Sequence, residues 1–364
     1  MKKSSHHGAL FVVIFAAQVA AEESLRVGIF DVDVSPPVGT PLAYNDCDLV
    51  AMSLRAKGIV LLGSGDPIVL CAVDWIGIGN DSHVAWRNDI ADAVGTSADR
   101  VAVHTLHQHD APHCDFSADA LLSQHGLGDS VIDIDFAKRS IHQVAAAAKA
   151  AVRESTPVTH VGIGQAKVDR VASNRRILGE DGTVRATRYT ACKDPELRAE
   201  PEGVVDPLLK SISLWNDQQP LCVMTYYATH PQSYYLRGVA NPDFPGMARF
   251  LRQVTLNGLP HLHFNGAGGN IGAGKYNDGS PDNRQVLATR LADGMAAAWQ
   301  ATERVPLSAS DVVWRTSSCA LPPAFHLDTA SLRSMVADAT QSAAARREAA
   351  FNLAWLERCQ NDAT

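Results

Sequence analysis

Residues 101–114 read VAVHTLHQHDAPHC, an apolar alternating run that leads directly into a cluster of histidines. Of the fourteen histidines in the chain, four fall within the ten positions 104–113: His104, His107, His109 and His113. In a strand, residues two apart project from the same face, so the alternation predicts His107 and His109 on one face and His104 on the other. Pro112 cannot donate a backbone hydrogen bond, so the strand should stop near Asp110. Two imidazoles would then lie together at a strand end, where functional residues often occur.

A His-x-His pair at a strand end can share one metal ion. Zinc binds imidazole nitrogens tetrahedrally, and catalytic sites keep one position open, so the pair needs further ligands. His230 is the best further candidate, because it closes the apolar run 221–230 and is followed at once by a proline. An acidic side chain is expected to complete the set; the candidates are Asp74, Asp110 and Asp243. The alternative interpretation is a group of surface or core histidines without a metal.

The rest of the chain mixes strand-like and helical patterns around this stretch. The predicted strands are 25–34, 54–62, 68–74, 101–109, 158–168, 208–215, 221–229 and 261–264, and the predicted helices are 83–94, 136–152, 244–256, 284–299 and 329–359. Strands mixed with helices and hairpins predict an α/β (α+β) fold with mixed β-sheets flanked by helices. No Pro/Ser-rich linker or repeat divides the chain, which favours one domain.

The first 21 residues have the pattern of a signal peptide. Lys2 and Lys3 precede an apolar run, and Val19-Ala20-Ala21 offers small residues for cleavage before Glu22. This run is too short to span a bilayer, which takes roughly 20 residues. We therefore expect a secreted or periplasmic protein without a transmembrane segment.

Composition narrows the function classes. The formal net charge of −7 argues against nucleic acid as a partner, because phosphate binding needs clustered Lys and Arg. A small-molecule or lipid substrate fits better, and contact with a membrane surface and the oligomeric state stay open. The seven cysteines are an odd number without a Cys-x-x-Cys pair, so neither a disulfide scaffold nor a zinc knuckle is indicated. One or two disulfides are possible.

Two further motifs are weaker candidates for a functional site. His261-Leu262-His263 lies inside an apolar strand and predicts structural histidines. Gly269 to Lys275 nearly matches a phosphate-binding loop, but Tyr276 occupies the hydroxyl position and the following Asn-Asp-Gly-Ser-Pro run opposes a helix. We therefore interpret the loop as backbone that packs closely against a ligand or metal.

Asp243 and Arg175 are the remaining candidates for a catalytic role. Asp243 stands just ahead of a predicted helix, where it could cap that helix or orient a histidine or water at the site. Arg175 and Arg176 follow a predicted strand and could hold a carboxylate or an oxyanion, or be a solvated pair.

Taken in order, these motifs resemble the amino-terminal catalytic region of the neutral/alkaline (non-lysosomal) ceramidase family. The resemblance rests on short segments that run up to about Asp282: Gly28-Ile-Phe-Asp-Val-Asp-Val-Ser-Pro-Pro37, His107-Gln-His-Asp-Ala-Pro112, Asn174-Arg175, Thr229-His230-Pro231, Asp243 and the Gly-rich turns. It implies zinc-dependent hydrolysis of the amide of an N-acyl sphingoid base, or a related N-acyl substrate, by an activated water. It also implies that His107 and His230 are zinc ligands and that His109 lies beside the substrate carbonyl.

The chain departs from the family pattern in three respects. The family turn that carries a catalytic serine corresponds here to Gly269-Asn-Ile-Gly-Ala273, which has no hydroxyl. The family's Glu and Tyr zinc ligands and its immunoglobulin-like domain come from beyond the matched region. The expected organisation is therefore a signal peptide over 1–21 and, over 22–364, a ceramidase-like catalytic domain without its C-terminal part.

Three functional hypotheses follow. The first is an exported zinc-dependent hydrolase of linear amides, acting in lipid or sphingolipid metabolism. The second is a catalytically degenerate, ceramidase-like exported binding protein. The third is a metallo-β-lactamase type of hydrolase, which ranks last because the His-x-His-x-Asp-His spacing of that class is not met: Asp110 follows His109 directly.

Overall fold

The computed structural model describes residues 24–319 and 322–362. The predicted signal peptide, residues 1–21, lies outside the described residues. The helices are α1 (Asn80–Val94), α2 (Phe116–Ser123), α3 (Ile134–Arg153), α4 (Pro195–Ala199), α5 (Asp243–Thr255), α6 (Asp282–Gln300), α7 (Thr329–Ala337) and α8 (Ala343–Asp362).

Two five-stranded sheets form the centre of the fold. In chain order the strands are β1 (Arg26–Asp33), β2 (Leu49–Val50), β3 (Arg55–Leu62), β4 (Ile68–Val73), β5 (Gly77–Ile78), β6 (Val101–Thr105), β7 (His113–Cys114), β8 (Thr156–Pro157), β9 (His160–Lys167), β10 (Ser173–Asn174), β11 (Arg176–Leu178), β12 (Val184–Thr187), β13 (Leu208–Asn216), β14 (Gln219–Tyr227), β15 (Val239–Ala240), β16 (His261–Asn265), β17 (Ile271–Gly272) and β18 (Glu303–Pro306).

The sheets have the same kind of mixed topology. The first has the order β6-β4-β3-β1-β8 and the second the order β16-β14-β13-β9-β18. Each is antiparallel except at one edge, where β4 pairs with β6 and β14 pairs with β16 in parallel. The predicted mixed-sheet α/β fold is confirmed.

Buried apolar residues arrange these elements in four layers. Ile59 of β3 and Met224 of β14 belong to a core between the two sheets. Val60, the next residue along β3, faces the opposite way into a second core with α1, α3 and α8. A third core joins the second sheet to α5 and α6 through residues such as Leu287 and Leu291. Alternation along each strand therefore explains why both faces of each sheet are covered.

Two predicted elements end differently from expectation. The strand beginning at Val101 stops at Thr105 rather than near Asp110, and His107 has a φ of +68°. A left-handed residue breaks the two-residue alternation, so strand parity is not what orients His107 and His109. The strand that was to end at His230 likewise stops at Tyr227, which leaves His230 in the following loop.

The predicted Ala-rich helix 329–359 is two helices. α7 ends at Ala337, where the carboxylate of Asp338 accepts hydrogen bonds from the backbone amide (2.9 Å) and hydroxyl (2.6 Å) of Thr340. Such local bonds compete with helical ones and favour a turn. α8 then packs against α2, and its buried Leu353 and Ala350 join the core of the first sheet.

Two sequence expectations concern cysteines and membranes. All seven cysteines lie in the described ranges and have free thiols, so the possible disulfides are not formed here. Among the described residues, no helix combines the length and apolar character that a membrane crossing requires.

Candidate metal centre

The site lies where the parallel edges of the two sheets meet. Asn265, at the end of β16, donates from its backbone amide to His104 Nε2 of β6 at 3.3 Å, and its side-chain amide donates to the carbonyl of Leu106. These bonds join the end of β6 to the end of β16. Loops leaving the carboxyl ends of β6 and β14 consequently converge, and they carry His107, His109 and His230.

His107 is fixed by its backbone and by its ring. Its amide donates to the carbonyl of Trp75 at 3.0 Å, and its ring Nδ1 lies 2.7 Å from the carbonyl of Ile76. Only an N–H can bond that carbonyl, so Nδ1 carries the proton and Nε2 presents a lone pair. A carbonyl that fixes the tautomer in this way is the usual partner of a metal-binding histidine.

His109 and His230 complete a triangle of imidazoles. The ring centroids lie 5.0 Å apart for His107 and His109, 4.8 Å for His107 and His230, and 5.0 Å for His109 and His230. One ring nitrogen from each residue lies within 4.8 Å of the others. Within residues 24–319 and 322–362, these three form the sole group of three or more His, Cys, Asp or Glu side chains that could hold a metal ion.

The two remaining histidines differ in what holds their second nitrogen. His109 Nδ1 lies 3.0 Å from the hydroxyl of Tyr44, and its Nε2 lies 2.9 Å from His230 Nε2. A hydroxyl both donates and accepts, so either tautomer of His109 can be accommodated. His230 is placed by its amide, which donates to the carbonyl of Ile271 at 2.9 Å, and its ring is hydrogen-bonded by the backbone of Gly268.

Burial keeps these imidazoles neutral. Desolvation, together with the neighbouring histidines and Arg175, lowers the pKa of His109 to about 2 and that of His230 to about 4. Desolvation also lowers the pKa of His107, assisted by Arg175 and opposed by the hydrogen bond to Ile76. Metals bind the neutral form, so the unprotonated state that burial enforces at neutral pH is the one a ligand needs.

Arg175 faces the three histidines from the end of β10. Its amide donates to the carbonyl of Asn270 at 2.7 Å, and its guanidinium donates to the carbonyl of Gly269 at 3.4 Å and lies 5.5 Å from the ring centroid of Tyr189. It lowers the pKa of all three imidazoles, so its charge is close to them. Arg175 is half-buried, whereas Arg176 is exposed. The two arginines are therefore not an equivalent solvated pair.

Asp243 lies behind the cluster rather than in it. One carboxylate oxygen accepts from the amide of Phe244 at 2.6 Å, and the other from the amide of Ser233 at 3.1 Å and from Arg284 at 3.2 Å. The side chain is buried and the residue has a φ of +47° at the start of α5. Its contacts are thus with the loop that follows His230.

Arg284 links the loop that follows His109 to the loop that follows His230. Its guanidinium donates to the Ser233 hydroxyl and the Tyr234 carbonyl, both at 2.8 Å, and lies 3.7 Å from the Tyr234 ring centroid. It also lies 3.6 Å from the carboxylate of Asp110. Asp110 in turn accepts from the amide of Leu236 at 3.1 Å. This network ties the loop after His109 to the loop after His230.

The third acidic candidate, Asp74, is held in another buried ion pair. Its two oxygens receive a bidentate pair of hydrogen bonds from Arg249, at 3.0 and 2.6 Å, and one oxygen also accepts from Gln108 at 2.9 Å. Asp74 is fully buried and Arg249 is 2% exposed. Asp74 therefore supports Gln108, the residue between the two clustered histidines, and neither it nor Asp110 or Asp243 belongs to the described three-histidine group.

The other histidines singled out from the sequence, which are His104, His113, His261 and His263, do not belong to this group. His261 Nε2 and His263 Nδ1 both contact the hydroxyl of Thr225, at 3.2 and 2.9 Å, and both rings are buried. His104 accepts from Asn265, as described, and contacts Phe264. His113 stacks on Phe351 of α8.

Sequence reasoning missed the aromatic residues at the site. Tyr44 lies with its ring centroid 5.5 Å from that of His109, and Tyr235 lies 5.3 Å from His109 and 5.1 Å from Tyr44. Tyr235 follows His230 closely in sequence, which could have drawn attention to it. Tyr44 comes from a turn-rich segment 63 residues before His107, and no local sequence pattern marks it as a site residue.

Comparison with known proteins gives a structural likeness only. No protein-family model matches the sequence, and no curated protein matches it. Among solved structures, a ceramidase complexed with C2 is similar with a TM-score of 0.60 and 15% identity, covering 78% of this chain and 45% of that one. The neutral ceramidase from Pseudomonas aeruginosa gives a TM-score of 0.60 and 16% identity, covering 78% and 46%.

The chain thus spans less than half the length of these two structures. Identity this low establishes the shared fold and not the activity. Over most of its length, this chain has a ceramidase-like fold, which confirms the resemblance to the neutral ceramidases.

Proposed function

We propose that the chain is an exported, zinc-dependent hydrolase of linear amides whose substrates are N-acyl sphingoid bases or related N-acyl compounds. The observation that carries the proposal is the convergence of His107, His109 and His230, with the Nδ1 of His107 anchored on a carbonyl. The ceramidase-like fold supports the choice of substrate class.

The donor set fits a zinc ion. Zinc–nitrogen bonds of about 2.05 Å in a tetrahedral site separate neighbouring ligand nitrogens by about 3.3 Å. The ligand nitrogens of His107 and His230 lie within 4.8 Å of each other and need only small side-chain shifts to reach that spacing. We propose His107 and His230 as ligands, which leaves two positions of a tetrahedral site for water, substrate or a further ligand.

The protein groups around the ion divide the chemistry. A zinc ion held by His107 and His230 would supply a Lewis acid, which lowers the pKa of a bound water to about 7 and polarises a carbonyl. His109, whose Nε2 points into the cluster and whose Nδ1 meets the Tyr44 hydroxyl, is placed to relay a proton from the attacking water to the leaving amine. Because its pKa is low, the protonated ring would be short-lived and a strong proton donor to the amine. Arg175 is placed to stabilise the negative charge that develops on the carbonyl oxygen.

Asp243 has a positioning role in this proposal. Through Ser233 and Arg284 it holds the loop that follows His230. It does not act on the substrate directly, because its oxygens already accept from buried donors. We also propose that the N-terminal segment directs export, so that the mature protein is secreted or periplasmic; N-terminal sequencing of the exported protein should begin at Glu22.

Metal binding tests the ligand assignment. Elemental analysis should find about one zinc per chain, and His107→Ala or His230→Ala should each weaken zinc binding by at least about tenfold. The exposed His125→Ala and the buried His261→Ala are matched controls that should bind zinc like the wild type. A wild-type protein that binds no metal, or binding that survives both ligand substitutions, would refute the assignment.

Hydrolysis tests the reaction. Release of fatty acid from an N-acylsphingosine, followed by mass spectrometry, should stop on chelation and resume when zinc is added. His109→Ala should retain zinc and lose at least about a hundredfold in rate, the usual contribution of general acid–base catalysis.

The second candidate function is a catalytically degenerate binding protein. It is favoured by one feature, the turn from Gly269 to Ala273 that lacks a hydroxyl. This alternative predicts that the wild type binds N-acylsphingosine without releasing fatty acid, whether or not zinc is present.

A further inference from the structure

Helix α8 lines two neighbouring cavities, and the first of them reaches the histidine cluster. The first has a volume of about 690 Å³ and reaches His107 and Tyr44 at one end. Its remaining wall comes from the first sheet's loops and from α8, including Ile76, Val131 and Phe351. The second, of about 470 Å³, continues under α8 and is lined by residues such as Ile78, His83 and Trp355.

A single aromatic pair separates the two cavities. His113 and Phe351 line both of them. Their rings stack with centroids 4.1 Å apart and an interplanar angle of 15°. His113 is held on β7, which pairs with β5, and a Cβ added to Gly77 of β5 would meet the His113 ring at 3.0 Å. The histidine is thus fixed, and Phe351 closes the partition from the helix.

The direction of the first cavity suggests which part of a substrate it takes. This step rests on the proposed function. His107 lines the cavity, whereas His109, the group placed to protonate the leaving amine, does not. The amine should therefore leave on the His109 side, and the chain on the acyl side of the carbonyl should extend past His107 into the cavity.

We infer that this cavity binds the acyl chain and that the stack of His113 and Phe351 is its end wall, so that Phe351 limits the acyl length that the protein accepts. The exposed lining is mostly apolar, with Leu42, Ile76, Val131 and Phe351 contributing, and it also contains the polar Ser130, Arg347 and Glu348. Its volume is within the range of about 300–1,000 Å³ typical of small-ligand sites. Removing the Phe351 ring would join the second cavity to the first.

The side of the cavity that α8 provides is firmly attached. Leu353 and Ala350 of α8 are fully buried in the core, and Arg347 donates to the carbonyl of Ser130 at 3.3 Å on the opposite wall. Substitution of Phe351, which is only half-buried, should therefore change the cavity while leaving the helix in place.

The binding test uses straight-chain saturated fatty acids from octanoate to stearate and the full chain, with dissociation constants from calorimetry. For the wild type, affinity should rise about fourfold per methylene and then level off at a limiting length. Phe351→Ala should extend the rise, so that an acid two methylenes beyond the wild-type limit gains at least about tenfold. Phe351→Leu should give a smaller extension.

Two controls separate the partition from general effects. Phe351→Trp keeps a large ring and should keep the wild-type limit. Phe250→Ala removes an exposed phenyl ring from α5, away from this cavity, and should also keep it. An unchanged limit in the folded Phe351→Ala or Phe351→Leu protein, or a wild type that binds no fatty acid, would overturn the inference.

Hydrolysis profiles distinguish this inference from the proposed function. Substrates that vary only in the acyl chain should show the same shift between wild type and Phe351→Ala, and substrates that vary only in the amine-side chain should not. A shift that follows the amine-side chain overturns the acyl assignment. If no substrate is cleaved but the fatty-acid limit moves as expected, the proposed function fails and the cavity assignment stands.

Discussion

Replacing Arg284 with methionine should weaken both the fold and the metal centre. Arg284 is 7% exposed, and its guanidinium donates hydrogen bonds to Ser233, Tyr234 and Asp243. Removing one partner of a buried ion pair costs about 3–5 kcal/mol, because the other charge is left without compensation. Methionine retains much of the apolar volume, so the loss reports the charge and its hydrogen bonds.

The expected change in melting temperature follows from the size of the protein. With an unfolding entropy of about 2.1 cal/mol/K per residue and about 340 residues, a loss of about 3–5 kcal/mol lowers Tm by about 4–7 °C. Zinc affinity, measured by titration against a chromophoric chelator, should fall by about 10- to 100-fold, since the loops carrying His109 and His230 lose their common support.

A double-mutant cycle isolates the ion pair. Asp243→Asn removes the partner charge, so the combined Asp243→Asn and Arg284→Met protein should be less destabilised than the two single changes added together. Arg284→Lys is the matched control: it keeps the charge but cannot form the forked contacts, and should fall between wild type and Arg284→Met. The reasoning is refuted if Arg284→Met melts within about 1 °C of wild type, or if the single effects simply add.

Three other perturbations have defined outcomes. Tyr44→Phe removes the hydroxyl at His109 Nδ1, so the hydrolysis rate should fall by about tenfold while zinc content, measured by elemental analysis, stays the same; loss of zinc would instead place Tyr44 among the ligands. Gly268→Ala introduces a Cβ that would lie 2.9 Å from the carbonyl carbon of Thr229 and 3.1 Å from the amide nitrogen of His230, so zinc affinity should drop. Gly269→Ala is the control and should bind zinc normally, because no atom lies within 4 Å of the added Cβ. At Asp31, desolvation raises the pKa of the carboxyl group, but the charges and hydrogen bonds of Lys57 and Arg55 outweigh desolvation and leave this pKa below its usual value. The carboxylate therefore stabilises the fold above about pH 4, and this stabilisation is lost as the pH falls through the lowered pKa. The Tm difference between wild type and Asp31→Asn should therefore narrow between pH 7 and pH 3, and a difference that widens on acidification would contradict the ion-pair explanation.

Local patterns predicted the elements well where periodicity and end signals agreed. The hairpin of β3 and β4, helix α3 and the Gly95 end of α1 follow directly from apolar alternation, helical spacing and a left-handed glycine. The pattern could not show that Thr105 is the last residue of β6, because a left-handed conformation at a histidine has no sequence signature. His107 and His109 converge through this turn and through the carbonyls of Trp75 and Ile76.

Long-range contacts account for what the sequence could not predict. The proximity of His230 to His109 depends on how two sheets meet at their edges, and the support by Arg284 joins residues 41 and 174 positions apart in the chain (Asp243 and Asp110). Tyr44 approaches His109 across 65 positions. Hydrophobic patterns specify which face of a strand is buried but carry no information about which edges of two sheets meet.

If the histidine cluster binds zinc as proposed, metal affinity would measure how well the two five-stranded sheets are aligned at the edges where they meet. His107 and His109 follow a strand of one sheet, and His230, 121 positions beyond His109, follows a strand of the other. Metal–ligand distances tolerate only about 0.2 Å. A distant substitution could slide one sheet against the other by a few tenths of an ångström. Such a shift would weaken metal binding well before the protein unfolds. Selection for tighter metal binding would conversely favour variants in which the sheets are better aligned.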